Sequence, residues 1–156
     1  MINLERRKAL KMGGGLGLLG LLVAVGLVRP GMALAEGAKS AFNVKTLEEA
    51  LSALGVTAPE SIDAIHLTVP EIAENGAVVP VTVASSLAKT EAIHILVEKN
   101  PSALAASFAF PEGTEGYVST RVKMKDTSMV VALVKADGKF YRVAKDVKVT
   151  AGGCGG

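Results

Sequence analysis

An all-β fold is predicted for this 156-residue chain. The specific expectation is an immunoglobulin-like β-sandwich of about seven strands, with a short N-terminal helix and a flexible C-terminal arm. Three observations carry it. From residue 65 onward, short apolar runs alternate at period 2 or are continuously rich in valine. Turn signals separate them at close intervals: Asn75-Gly76, Asn100-Pro101, Pro111 with Gly113, and Asp137-Gly138. A single helical pattern precedes the strands, with no βαβ alternation after it.

Residues 1–35 read as an export signal, separate from the fold. Arg6, Arg7, Lys8 and Lys11 form a positive n-region, Met12 to Val28 carry no charge, and Ala33-Leu34-Ala35 supplies a small-x-small cleavage pattern before Glu36. The Arg6-Arg7 pair, the glycine-diluted apolar run and Arg29 resemble a twin-arginine signal, with Glu5 and Ala9 departing from its usual pattern. A retained membrane anchor is the competing reading. The uncharged stretch lies at the short end of the roughly 17–25 residues a spanning helix needs, and the cleavage pattern favours removal.

Residues 36–150 are assigned to the sandwich domain. Its helix, near 46–54, opens with a capping box in Thr46-Leu47-Glu48-Glu49, places Leu47, Ala50, Leu51 and Leu54 on one face, and stops at Gly55. In the first strand Ile65, Leu67 and Val69 alternate with His66 and Thr68. Asn75-Gly76, a type I′ turn signal, precedes the valine-rich run Ala77 to Ala84. Strands are then expected at Ile93 to Val97, Leu104 to Phe110, Tyr117 to Met124, Met129 to Val134, and Phe140 to Lys148 after Asp137-Gly138. Pro70 and Pro80 mark edges or bulges. The immunoglobulin Cys…Trp…Cys hallmark is absent, since there is no Trp.

Charge excludes little until the signal is set aside. The whole chain carries 17 basic and 15 acidic residues, net +2. Five of the basic residues and one acidic residue fall in 1–35, so the remaining 121 residues carry 12 and 14, net −2. A nucleic-acid surface is not called for. One cysteine, Cys154, and two histidines exclude an internal disulfide, a CxxC pair and a Cys/His zinc site.

Residues 151–156 form the arm, in which Gly152, Gly153, Gly155 and Gly156 surround Cys154. Without Cβ atoms these glycines leave the backbone free and the sulfur unshielded, with a reach on the order of 10 Å beyond the last strand. Such a thiol is suited to delivery into another protein's active site. A buried structural cysteine, prenylation and a lipoprotein cysteine do not fit the position or its neighbours. No His, Lys or Arg lies within five residues, Lys148 being six away, so nothing adjacent would generate a thiolate for independent hydrolysis.

Elsewhere the chemistry is thin, and no catalytic or metal-ligating residue is assigned. His66 and His94 each sit singly in a strand-like run, which fits a solvent-facing or hydrogen-bonded imidazole better than a copper site, and Met124 reads as core. Ser119, Asp126 and His94 have no triad-like spacing, and there is no GxSxG. Gly113 to Gly116 is a loop without the P-loop pattern. Glu71, Glu74, Glu91 and Glu98 read as solvated strand edges.

The arginine-pair signal, a β-rich domain of this size and the terminal Gly152-Gly153-Cys154-Gly155-Gly156 resemble the SoxY family. Pro70 to Val81, Tyr117 to Met124 and Ala136 to Tyr141 are similar to it as well, so the resemblance covers essentially the whole chain. It implies a periplasmic sulfur carrier of thiosulfate oxidation, with no cofactor of its own. Cys154 would hold intermediates as a thiosulfonate or persulfide. The implied partners are a SoxZ-like subunit in a heterodimer, a haem-containing SoxAX pair that attaches substrate, SoxB that hydrolyses off sulfate, and in some systems a SoxCD dehydrogenase. The alternative from the residues alone is an exported adhesion or assembly module dimerising through Cys154.

Overall fold

The computed structural model describes residues 40–151. The expected export signal, residues 1–35, and Gly152, Gly153, Cys154, Gly155 and Gly156 lie outside the described residues.

Helix α1 spans Leu47–Ala53. Its capping box is complete: Glu49 N donates to Thr46 Oγ1 at 3.2 Å, and the Glu49 carboxylate accepts from Thr46 N at 3.3 Å and Lys45 N at 3.2 Å. These backbone donors hold the Glu49 carboxyl below the usual carboxylate range. Gly55 ends the helix at φ +75°, the left-handed conformation in which a side chain is strained.

The strands are β1 (Glu60–Ser61), β2 (Ile65–Thr68), β3 (Ile72–Ala73), β4 (Val79–Ser85), β5 (Thr90–Val97), β6 (Leu104–Ala109), β7 (Gly116–Val122), β8 (Ser128–Ala136) and β9 (Lys139–Val149). They build two sheets. The larger runs β1-β9-β8-β5-β6, with β3 also paired to β9, and the smaller runs β2-β4-β7. The seven longer strands are those expected from the sequence. The two-residue strands β1 and β3, parallel to β9, are not legible there.

Between the sheets, Leu67, Val81, Val83 and Val118 meet Ile93, Ile95, Val130, Ala132 and Val134 in one buried cluster. A second apolar layer lies on the opposite face of the larger sheet, where Leu47 and Ala50 of α1 cluster with Leu96, Leu104, Val131 and Leu133. Burial on both faces is why β5 and β8 read as continuous apolar runs. β7 has one wet face and alternates, with Ser119 and Arg121 exposed between Val118 and Val122.

Three local readings need correction or refinement. Asn75-Gly76 does not make a type I′ hairpin, because neither residue has the positive φ it requires and β3 pairs with β9 instead of β4. The Asn75 side chain instead accepts from Ala77 N at 2.8 Å, an Asx turn. Asp137-Gly138 does take positive φ at both positions, joining β8 to β9 directly. Pro80 lies in the middle strand of the small sheet, yet β2 stops pairing at Thr68–Thr82, so β4 is locally an edge there.

Candidate functional site

β9 carries the chain toward the cysteine, and both sides of its end are held. On one side Thr127 Oγ1 accepts from Val149 N at 3.0 Å and donates to Val149 O at 3.4 Å. On the other, β3 pairs Ile72 with Lys148 and Ala73 with Val149 in parallel. Lys148 N donates to Glu71 O at 2.9 Å, and Thr150 N to Ala73 O at 3.0 Å. The Thr150 hydroxyl donates to Glu74 O at 3.1 Å. Gly76 N donates to Ala151 O at 2.7 Å. The backbone is therefore tied down as far as Ala151, three residues before Cys154.

The segment that holds it is itself anchored. Met124, fully buried, donates its amide to Gly76 O at 2.7 Å. Asn100 braces the stretch around Met124, its side chain donating to Lys123 O at 2.7 Å and accepting from Lys125 N at 3.0 Å. Residues 71–76 thus form a cradle set on the core, from which residues 152–156 continue. In the sequence Pro70 marks an edge or bulge and Asn75-Gly76 a turn, and neither signal points to the arm root. The cradle rests on backbone hydrogen bonds between residues some 75 positions apart, which leave no trace in periodicity or spacing. Cys154 and its four glycines fall outside the described residues, so their expected roles rest on sequence.

The histidines sit apart. His66 is exposed on the outer face of the small sheet, as a solvent-facing imidazole would be. His94 is 3% exposed on β5, with Nδ1 2.9 Å from Ser107 Oγ on the paired strand β6. Burial, assisted by the nearby Lys135 ammonium, pushes its pKa down to about 4, so the imidazole is neutral at pH 7. Ser119 lies on the wet face of the small sheet against Thr82, with the sandwich core between it and His94. The nominal triad is therefore not assembled. Among the described residues no three His, Cys, Asp or Glu side chains gather into a metal-type cluster.

Glu91 corrects the solvated-edge reading. Its carboxylate meets Lys135 Nζ at 2.9 Å and accepts from Gly138 N at 2.8 Å, and the Lys135 contact chiefly lowers its pKa. It acts as a structural brace between β5 and the β8–β9 turn, remote from the arm root.

Comparison with known proteins bears on this geometry. The family model described as sulfur oxidation protein SoxY matches residues 51–154, from α1 through Cys154. A solved structure of the sulfur carrier protein SoxY from Chlorobium limicola f thiosulfatophilum is 42% identical, with a TM-score of 0.61, covering 67% of this chain and 96% of that one. A superoxide reductase (neelaredoxin) from Ignicoccus hospitalis is 17% identical with a TM-score of 0.49, covering 55% of this chain and 80% of that one. No curated protein matches the chain. The matched sandwich and the match running through the cysteine agree with the resemblance seen in the sequence: the chain belongs to the SoxY family of sulfur oxidation proteins.

Proposed function

We propose that this chain is a covalent sulfur carrier, with no catalytic role of its own, in which Cys154 holds the intermediates of thiosulfate oxidation. The observation that carries the reading is the arm root. The backbone is hydrogen-bonded through Ala151, and only Gly152 and Gly153 separate that anchor from the thiol. A short glycine tether on a fixed root lets one sulfur visit several active sites while the domain supplies the docking surface. The family match through residue 154 and the likeness to the sulfur carrier protein SoxY of Chlorobium support it.

The chemistry fits an unassisted thiol. Joining Cys154 to thiosulfate forms one S–S bond, releases the thiol proton and yields two electrons, which a haem-containing SoxAX-type partner would accept. Water attack by a SoxB-type hydrolase then cleaves the S–S bond to the terminal sulfonate, releasing sulfate and leaving a persulfide on Cys154. A SoxCD-type dehydrogenase would oxidise that remaining sulfur, and a SoxZ-like subunit would complete the heterodimer. The reading includes export to the periplasm, by the twin-arginine route, with removal of residues 1–35.

The test is intact-mass and peptide analysis of the protein purified from cells oxidising thiosulfate. The expected result is an S2O3 or sulfane increment on the peptide containing Cys154, absent from a Cys154→Ser variant that melts at the same temperature. Loading that survives Cys154→Ser would refute the assignment. A disulfide dimer with no sulfur adduct would favour the adhesion or assembly module instead.

A further inference from the structure

Among the described residues five large hydrophobic side chains are exposed, and two of them lie at the arm root: Ile72, at 57%, within the cradle, and Val78, at 54%, just beyond it in sequence. Ile72 is the neighbour of Ala73, whose carbonyl holds Thr150, and Val78 stands two residues from Gly76, whose amide holds Ala151. Their surroundings are mixed in charge, with Glu71, Glu74, Lys123, Lys125 and Lys148 all exposed. Among the described residues neither of the two apolar side chains belongs to a core cluster, since Ala73 and Val79 beside them supply the core contacts.

The short reach of the arm decides what could cover them. Three residues beyond Ala151 span at most roughly 10 Å when fully extended. Any enzyme that takes the Cys154 sulfur into a recessed catalytic site must bring the rim of that site within this distance of Ala151. At that range the rim cannot avoid the cradle and its flanks. We propose that Ile72 and Val78 form the docking patch for the enzymes that act on Cys154-bound sulfur, received by an apolar collar around the mouth of their active sites. The proposal rests on the carrier reading of Cys154. Apolar contacts at the patch and a mixed-charge rim fit a transient encounter shared by successive partners, with no strong field selecting among them.

The experiment separates loading from docking. Tetrathionate transfers a thiosulfonate to a thiol with no enzyme: the thiolate attacks an inner sulfur, a new S–S bond forms, and thiosulfate leaves. The chain without residues 1–35, in complex with its SoxZ-like subunit, is loaded in this way and supplied to the sulfate-releasing hydrolase. Wild type is compared with Ile72→Ser/Val78→Ser and with Tyr117→Ser, an exposed residue at the opposite end of β7. The expected result is a KM raised about tenfold in the double variant, with kcat, chemical loading and heterodimer mass unchanged, and no effect of Tyr117→Ser. Equal KM values for the double variant and wild type would overturn the docking patch while leaving the carrier reading intact. Loss of the heterodimer in the double variant would also overturn it, assigning the patch to subunit assembly. Failure of loaded wild type to release any sulfate would refute the carrier reading itself.

Discussion

His94 Nδ1 lies 2.9 Å from Ser107 Oγ across the β5–β6 ladder, on the face of the larger sheet that carries apolar Leu96 and Leu133 and, nearby on β8, the Lys135 ammonium. The pair satisfies one ring nitrogen, but burial opposes protonation of the other and holds the pKa near 4 against an ordinary 6.5. In the unfolded chain the histidine takes up a proton as pH falls through 6.5, while the folded protein resists it down to about 4. Stability is therefore full above pH 6.5 and declines as pH falls toward 4, by about 3 kcal/mol if the whole shift is expressed. Urea unfolding at pH 7, 5.5 and 4 measures it. His94→Gln, which does not titrate, should flatten the profile in this window.

A second acid-dependent loss should appear at lower pH. Glu91 has its folded pKa lowered by the Lys135 contact and by the Gly138 amide. Its contribution is present above the unfolded value near 4.5 and is lost as pH falls through the lower folded value. Glu91→Gln should remove that component and leave the higher-pH decline of His94 in place. The two titrations are thereby separable in one set of unfolding curves.

Gly116 opens β7 against Thr90 of β5, where the two sheets come together. A Cβ at Gly116 would stand 2.9 Å from Thr90 Oγ1 and 3.0 Å from Thr90 Cβ and Cγ2. Thr90 cannot turn aside freely, because its hydroxyl meets Ser85 Oγ at 2.9 Å and donates to Leu87 O at 3.2 Å. Gly116→Ala should cost about 1–3 kcal/mol through overpacking, measured by chemical denaturation. Adding Thr90→Ser, which keeps the hydroxyl and removes the methyl, should recover part of the loss.

The fold was legible wherever a local pattern fixed it. Thr46 and Glu49 announce the helix start because both partners of the capping box lie within four residues. The seven longer strands show themselves through alternation or valine density. What sequence could not show depends on partners far along the chain. Glu91 is an ordinary charged residue until β8 brings Lys135 alongside it. Asn75-Gly76 has the composition of a hairpin turn, yet β3 pairs with β9 and not with β4. The candidate site divides in the same way. The thiol and its glycines are plain in the sequence, whereas the root before them is made of bonds from the Thr150 amide and hydroxyl to Ala73 O and Glu74 O and from the Gly76 amide to Ala151 O.

On the proposed carrier role of Cys154, anchoring at Ala151 makes the tether length critical. Deleting Gly152 and Gly153 would leave the cysteine directly after the anchored residue and remove roughly 7 Å of a reach of roughly 10 Å. Every described hydrogen bond of the root lies at or before Ala151, so the melting temperature should be unchanged. Tetrathionate, a small molecule that needs no docking, should still load the cysteine at the wild-type rate. Sulfate release by the hydrolase should fall by at least about tenfold, because the bound sulfur no longer reaches the catalytic geometry. Restoring two residues as Ala-Ala in place of the deleted glycines should recover part of the release. The remaining deficit measures what the bare glycine backbone contributes beyond length, since each added Cβ narrows the conformations available to the arm and widens its cross-section in the partner's pocket.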